Sequence, residues 1–317
     1  MQFEYDYGGL LIGSPLDLHG MPLASQSGRH SCDISISLAF GDLPRERDPV
    51  HVWGGRYGLA LEPRDAGGWM IRYSDRAAIG CDARGSVLDC TCSDAGQAPV
   101  LADILTRRVL PRLTSLHGRM PVHAAALARD DGAVLLFGTS GAGKSTLTAA
   151  LATAGWQIMS DDMSIVSGWD DPHVWRTAPG VSLWADSCAA LGLPDSRCRP
   201  IEGYAGKYWY LPERDDGAGR VPVRALVFIG PVADAVTWQR SSGVQAVVNA
   251  ALQMVRFNPS NPAESAAALD NFKRLATGLP CYNFAYPRAY DALPAAIGGI
   301  ADILDDARRQ ALSQALR

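Results

Sequence analysis

The sequence has no apolar run that approaches the roughly 20 consecutive residues needed for a membrane-spanning helix. Its opening residues, MQFEYDYGGLLIGSPLDL, also lack the basic region and the long apolar core of a secretory signal peptide. We therefore expect a mature chain with a cytoplasmic localisation and no membrane partner.

An excess of positive charge is also missing. The 29 Lys and Arg residues are outnumbered by 33 Asp and Glu, which gives a net charge of −4, and no long basic run interrupts the chain. Nothing in this charge balance favours nucleic acid as a partner. With 47% hydrophobic and 20% charged residues over 317 positions, the composition is typical of a globular protein of about two domains.

Cysteine is scarce and odd in number. The seven cysteines include no CxxC pair, and their densest group is Cys81, Cys90 and Cys92. A zinc site requires closely spaced Cys pairs or a matching His cluster, and neither accompanies this group. The three residues could be metal ligands, but we interpret them as structural thiols in a reducing compartment.

The chain divides by pattern into a β-rich first part and a mixed second part. Residues 33–40, DISISLAF, alternate as a half-buried strand does, and Gly and Asp turn signals separate further strand-like segments. Residues 100–116 then show apolar positions at helical spacing. We predict an α/β protein with a β-rich N-terminal domain over 1–98 and a P-loop domain, including the linker helix, over 99–317.

The second part opens with a strand–loop–helix–strand arrangement. A hairpin with an Asp-Asp-Gly turn at 130–132 leads into the strand AVLLF, then a Gly-rich loop, the helix STLTAALATA, and the strand WQIMS. This βαβ order predicts that AVLLF and WQIMS are parallel strands of one sheet.

The Gly-rich loop matches the phosphate-binding pattern GxxxxGK[ST] in full. In this pattern small residues let backbone N–H groups surround the phosphates, the lysine reaches the β and γ oxygens, and the hydroxyl binds Mg²⁺. The lysine and hydroxyl are Lys144 and Ser145. The predicted nucleotide-binding residues are Gly138, Thr139, Ser140, Gly141, Ala142, Gly143, Lys144, Ser145 and Thr146.

Asp161 and Asp162 follow the strand WQIMS. Ligands of open α/β sheets gather where strands end, so both carboxylates are expected near the γ-phosphate. Adjacent residues point to opposite sides of the chain, so one carboxylate can hold the metal while the other accepts a proton from an attacking hydroxyl. In the alternative, Asp162 only caps a turn.

Two further side chains are candidates for the same site. His123 begins the strand before the hairpin, which could return it to the edge where the phosphate loop lies. Lys207 lies in EGYAGKYWYLP, which we interpret as a Gly-rich aromatic loop over 204–210 whose cation could stabilise phosphoryl oxygens. The alternatives are a structural histidine and a solvated lysine.

As a set, VHAAAL, GTSGAGKST and SDD resemble the HPr kinase/phosphorylase family over residues 118–215. The resemblance implies an HPr-kinase-like fold and an ATP- and Mg²⁺-dependent protein serine kinase. It implies that Asp161 is the general base toward the serine, that Asp162 assists the metal and the base, and that His123 supports both carboxylates. Because members of this family assemble into oligomers, a homo-oligomer is a possible state.

The chain departs from that family in one respect. The second Gly-rich signature, which contains Arg-Gly-Leu-Gly and a metal-binding glutamate, is missing, and the nearest segment, 176–187, has no glutamate. The sequence is more similar to the divergent HPr-kinase-like proteins of ribosomal peptide pathways. Among these are lasso-peptide kinases, which phosphorylate the C-terminal serine of a precursor peptide.

Two other functions remain open. One is a small-molecule or carboxykinase-like phosphotransferase that uses the same loop and carboxylates. The other is an ATP-binding switch protein, which would associate with a partner in an ATP-dependent way without phosphorylating it.

Overall fold

The computed structural model describes residues 3–18, 20–24, 31–54, 58–65, 67–177, 180–201, 205–212, 219–250 and 253–315. The chain forms two compact units. The first comprises Met1–Pro121 and Arg256–Ala267, and the second comprises Val122–Val255 and Ala268–Arg317. The α/β class with a β-rich N-terminal part is confirmed, whereas the domain boundary at residue 98 stays a prediction.

Eight strands of the described part of the first unit form one sheet in the order β1-β2-β3-β8-β7-β6-β5-β4. Their bounds are β1 (Phe3–Tyr7), β2 (Leu10–Ser14), β3 (Ile34–Phe40), β4 (His51–Trp53), β5 (Leu59–Pro63), β6 (Trp69–Tyr73), β7 (Ala77–Cys81) and β8 (Val87–Cys92). The strand β3 pairs in parallel with both of its neighbours, while the other printed pairings are antiparallel. The predicted alternation of β3 is present, since Ile34 and Ile36 are buried and Ser35 and Ser37 are exposed.

The helical segment after this sheet is made of short pieces. It comprises α1 (Ala98–Ile104), a π-helical turn (Leu105–Val109), α2 (Leu110–Leu113) and a 3₁₀ turn (Thr114–His117). Gly118 ends it in the left-handed conformation at φ 71°, a position that favours glycine because a side chain would be strained there.

Cys81, Cys90 and Cys92 are free and buried in the first unit. Burial raises the pKa of the Cys81 thiol to about 12 and raises the pKa of Cys90 further still. Among the described residues, no three His, Cys, Asp or Glu side chains are grouped in a way that could hold a metal ion. The three cysteines therefore contribute protonated thiols to the core.

The second unit contains a larger mixed sheet and a small one. After β9 (Met120–Val122), where the chain passes between units, the strands are β10 (Ala125–Arg129), β11 (Gly132–Phe137), β12 (Gln157–Ser160), β13 (Ser164–Ser167), β14 (His173–Trp175), β15 (Val181–Trp184), β16 (Cys198–Pro200), β17 (Lys207–Tyr210), β18 (Arg220–Ile229), β19 (Thr237–Ser241) and β20 (Cys281–Ala285). The helices are α3 (Lys144–Thr153), α4 (Ala185–Ala190), α5 (Gly243–Ala250), α6 (Pro262–Gly278) and α7 (Leu293–Ala315). The part of α6 up to Ala267 belongs to the first unit, and the rest belongs to the second.

The larger sheet includes the order β12-β10-β11-β18-β14-β13, and β20 pairs with both β18 and β19. Both β12 and β11 run antiparallel to β10, so they are parallel to each other in one sheet, as predicted. The strands β18 and β20 are parallel to β11. The carboxyl ends of these four strands therefore meet at the same edge.

Helices cover both faces of this sheet. Leu136 belongs to a buried apolar cluster with Leu147 of α3 and Ile300 of α7. On the opposite face Phe137 stacks on Phe228 with ring centroids 5.0 Å apart and meets Phe272 of α6 edge-on at 5.8 Å. Because successive strand residues face opposite sides, this alternation holds the loop after Phe137 between two packed layers.

In the described part of the chain, no helix combines the length and the apolar character needed to cross a membrane.

The first unit contains one buried ion pair that lends itself to a stability test. Arg72 Nε lies 2.7 Å from Glu62 Oε1, Arg72 Nη2 lies 3.1 Å from Glu62 Oε2, and the two side chains are 5% and 3% exposed. The Arg47 backbone N–H also donates to Glu62 Oε2, and Arg72 Nη2 also donates to the Arg45 carbonyl oxygen.

Glu62→Gln should lower the free energy of unfolding by about 3–5 kcal/mol, because it leaves the Arg72 charge buried without a counter-ion. Urea unfolding of the whole chain measures the effect. Arg47→Gln is the control: its side chain pairs with Asp65 at the surface and should contribute under about 1 kcal/mol. Equal decreases in the free energy of unfolding of the two variants would show that the buried pair contributes no more to stability than the surface pair.

Candidate phosphate-transfer site

The phosphate loop joins β11 to α3 with two residues in the left-handed conformation. Gly141 and Gly143 both have φ 78°, a region where a residue with a side chain is strained. The Ala142 N–H donates to the Thr139 carbonyl at 3.0 Å, and the Leu147 N–H donates to the Gly143 carbonyl at 2.9 Å. The loop therefore closes on itself at the start of α3, where Gly143 provides no side-chain cap. The first N–H groups of a helix have no partner within the helix, which favours a bound anion there.

Gly143 also contacts the segment that follows β20. The Tyr286 hydroxyl donates to the Gly143 carbonyl at 3.2 Å. A Cβ atom at Gly143 would lie 2.4 Å from the Tyr286 oxygen and 2.9 Å from Arg288 Nη1, whereas a Cβ at Gly141 would meet nothing within 4 Å. The glycine at 143 is thus required by a close approach as well as by its φ angle.

Lys144, His123 and Asp162 form one line of contacts. Lys144 Nζ lies 3.3 Å from His123 Nε2, and His123 Nδ1 lies 3.3 Å from Asp162 Oδ1. Because an ammonium group only donates, Nε2 accepts and the ring proton is assigned to Nδ1, where it faces the carboxylate. Lys144 is 8% exposed, while the side chains of His123 and Asp162 are 36% and 49% exposed.

His123 lies between β9 and β10 and does not begin a strand, contrary to the expectation above. Its N–H donates to the carbonyl of Gln253 at 2.8 Å. This bond fixes the backbone of His123 just before β10, at the edge where β11 and β12 end.

Asp161 occupies a different environment from its neighbour. It is 5% exposed, its Oδ2 accepts from the Ser182 N–H at 3.1 Å, and it lies 3.4 Å from the Ser145 hydroxyl. Its Oδ1 is buried and has no hydrogen-bond partner among the described residues. Burial and the neighbouring Asp162 charge raise the pKa of the Asp161 carboxyl to about 6, against the Ser182 bond, Lys144 and Ser145.

Lys207 begins the strand β17 and is not in a loop, because the residues after it pair with β15 on one side and β16 on the other. Tyr204, the first residue of the predicted aromatic loop, lies outside the described residues. Lys207 pairs with Trp184, and its ammonium lies 4.9 Å from the centre of that ring. The same strand, β15, carries the Ser182 N–H that reaches Asp161.

Sequence reasoning missed four contributors to the site. Ser182 acts through its backbone N–H, for which side-chain chemistry gives no signal. Tyr286 and Arg288 follow β20, and the rule that ligands gather at the carboxyl edge of parallel strands could have singled them out. A second hydroxyl group, Ser187 Oγ, lies 3.2 Å from Thr146 Oγ1.

Comparison with known proteins does not identify the function of this site. No family model matches the chain, and no curated protein matches it. Among solved structures it is similar to the Hpr(Ser) kinase/phosphatase from Coxiella burnetii, with 13% identity, a TM-score of 0.34, and coverage of 62% of this chain and 98% of that one. A likeness at this TM-score supports no functional assignment, which depends on the residues of this chain.

The two left-handed glycines provide a matched pair of variants. Gly141→Ala and Gly143→Ala introduce the same strain from φ, but only Gly143→Ala also clashes with Tyr286 and Arg288. We expect Gly141→Ala to reduce stability by about 1 kcal/mol and Gly143→Ala by at least about 2 kcal/mol more. Thermal unfolding of both variants measures the difference, and equal losses would contradict the close packing under Gly143.

The raised pKa of Asp161 predicts that replacing this residue by Asn stabilises the fold by an amount that depends on pH. The carboxyl titrates at 3.8 when unfolded and at about 6 when folded, so its stabilising contribution is complete below 3.8 and is lost as the pH rises through about 6. Relative to the unchanged protein, the free energy of unfolding of Asp161→Asn should therefore rise by roughly 1–3 kcal/mol between pH 4 and pH 8.

Chemical unfolding without metal or nucleotide measures this gain. Asp306→Asn is the control with the opposite sign: burial opposes ionisation there, but the Tyr282 hydroxyl and Arg240 hold the pKa of Asp306 below its ordinary value. Its carboxylate is already ionised at pH 5, so Asp306→Asn should show no gain between pH 5 and pH 8. An Asp161→Asn difference that is flat with pH would contradict the raised pKa.

Proposed function

We propose that this chain is an ATP- and Mg²⁺-dependent kinase that transfers the γ-phosphate to a serine hydroxyl of a peptide or protein. The observation that carries the proposal is the line from Lys144 through His123 to Asp162, at 3.3 Å for each contact, beside the phosphate loop. A site for simple phosphate binding needs the lysine but not the histidine–carboxylate pair.

The residues fit a nucleotide with Mg²⁺. Residues 138–146 would hold the phosphates, with Lys144 on the β and γ oxygens. Ser145 and Asp161 would hold the metal, because a hydroxyl and a carboxylate 3.4 Å apart are hard oxygen donors of the kind Mg²⁺ prefers. The unpaired Oδ1 of Asp161 supports this assignment. When bound, the metal neutralises charge on the phosphates.

The geometry favours a division of labour between the carboxylates opposite to the one that the family resemblance implies. Asp161 is buried against the Ser145 hydroxyl, whereas Asp162 is half exposed and its Oδ1 lies 3.3 Å from His123 Nδ1. An incoming serine hydroxyl can reach the exposed pair more readily. We therefore assign Asp162, oriented by His123, as the acceptor of the serine proton, and Lys144 as the stabiliser of charge on the phosphoryl oxygens.

The finer part of the proposal concerns the acceptor. The resemblance of VHAAAL, GTSGAGKST and SDD to lasso-peptide kinases favours the C-terminal serine of a precursor peptide. Trp184 is 55% exposed beside the Lys207 ammonium, and an aromatic ring with a neighbouring cation suits peptide contact. We propose residues 1–98 as the peptide-recognition part and residues 99–317 as the kinase part.

The test uses the whole chain, MgATP and a lasso precursor peptide that ends in serine, with mass spectrometry to detect one added phosphate. A precursor with alanine in place of that serine is the control and should gain none. Phosphate release without a phosphorylated peptide would favour hydrolysis, and ATP-dependent association without transfer would favour a switch protein. Either result contradicts the proposal.

Substitution of the two aspartates should change different kinetic parameters in this assay. Asp162→Asn should lower kcat by about 10²–10⁴-fold while ATP affinity changes by less than about threefold, because it removes the proton acceptor. Asp161→Asn should instead raise the Mg²⁺ concentration that is needed for half-maximal rate. If Asp161→Asn lowered kcat by 10²-fold or more while the Mg²⁺ concentration for half-maximal rate stayed unchanged, the division implied by the resemblance would be favoured over ours.

A further inference from the structure

Arg288 lies against the phosphate loop, and two of its three guanidinium nitrogens have no hydrogen-bond partner among the described residues. These two atoms, Nε and Nη1, are buried. Nη1 lies 2.9 Å from the position that a Cβ of Gly143 would occupy. Burying a charged donor without a partner is unfavourable, so this arrangement calls for an anion at that place.

The side chain is also fixed in position. Arg288 Nη2 donates to the Gly230 carbonyl at 2.9 Å, at the end of β18. The guanidinium lies 4.9 Å from the centre of the Tyr286 ring, and the Tyr286 hydroxyl donates to the Gly143 carbonyl. One nitrogen and the ring contact thus hold the group, while the other two nitrogens are left for another partner.

Within the described residues, Arg288 has no acidic counter-ion. No described carboxylate pairs with Arg288, although other arginines of this unit do form ion pairs, such as Arg240 with Asp306 and Arg308 with Asp130. The position of Arg288 beside Gly143, where the anion-binding end of α3 begins, points to a phosphate as the missing partner.

We propose that Arg288 is a second cationic ligand of the bound polyphosphate, in addition to Lys144. The ligand class is a nucleoside di- or triphosphate. The inference rests on the proposed function only in requiring a phosphate in residues 138–146, and it does not depend on the acceptor. Arg288 recognises the phosphate chain and not the nucleoside.

Calorimetric titration of the whole chain with ATP and with inorganic tripolyphosphate tests the inference. Arg288→Gln should weaken binding of both probes by the same factor, on the order of 10- to 100-fold, because it removes charged hydrogen bonds. Arg288→Lys, which keeps the charge, should retain affinity within about tenfold of the unchanged protein. Arg288→Met is a second neutral variant, in case the glutamine variant does not fold.

Arg308→Gln is the matched control, since Arg308 is a half-buried arginine of the same unit that pairs with Asp130, Asp131 and Asp305. It should leave both affinities unchanged, and thermal unfolding confirms that each variant is folded.

Three results would overturn the inference. These are tripolyphosphate binding within twofold of the unchanged protein in the neutral variants, a loss for ATP alone, or an equal loss in Arg288→Lys and Arg288→Gln. The second would mean nucleoside contact, and the third a structural role. If the unchanged protein bound neither probe, the proposed function would fail as well. Binding without any transfer would leave the inference standing and contradict only the kinase proposal.

Discussion

The site depends on the antiparallel strand β10 lying between two parallel strands. Because β10 runs opposite to β11 and β12, the residues just before β10 share an edge with the residues just after the other two. His123 is thereby brought 3.3 Å from both Lys144 and Asp162. In a wholly parallel sheet, residues that precede a strand would lie at the opposite edge from the phosphate loop. One reversed strand thus places a histidine where parallel strands present only their carboxyl ends.

The electrostatics of this edge follow from different degrees of burial. Asp161 is almost fully buried, and its pKa is raised to about 6, whereas Asp162 is half exposed and forms an ion-pair contact with His123 at 3.3 Å. Adjacent residues of one chain therefore have unlike properties: Asp161 is buried and accepts a hydrogen bond from Ser182 of β15, while the Asp162 side chain is 49% exposed. Under the proposed function, this difference would let one carboxylate hold a metal beside Ser145 while its neighbour stays accessible to a hydroxyl, the pattern expected where acid–base roles are divided.

The sequence predicted the parts of the fold and site that local chemistry determines. The Gly-rich loop, the hairpin at Asp130 and Asp131, and the parallel relation of β11 and β12 all follow from residues close in sequence. The strand at Lys207 was missed because its pairing partners, β15 and β16, lie elsewhere in the chain, and a Gly-rich stretch conceals that pairing. Tyr286 and Arg288 were missed because their contact with Gly143 spans more than a hundred residues, a separation that no local periodicity records.

Two side chains in this site carry unpaired buried atoms of opposite charge preference. Asp161 Oδ1 lacks a donor and Arg288 Nη1 lacks an acceptor among the described residues. They are not partners for each other, since Asp161 is held at Ser145 and Ser182 and Arg288 at Gly230. An anion alone would accept hydrogen bonds from Arg288 but would repel the Asp161 carboxylate. A cation alone would bind the Asp161 carboxylate but would repel Arg288. A ligand that carries a cation and an anion together satisfies both atoms at once, and a metal–polyphosphate complex is such a ligand.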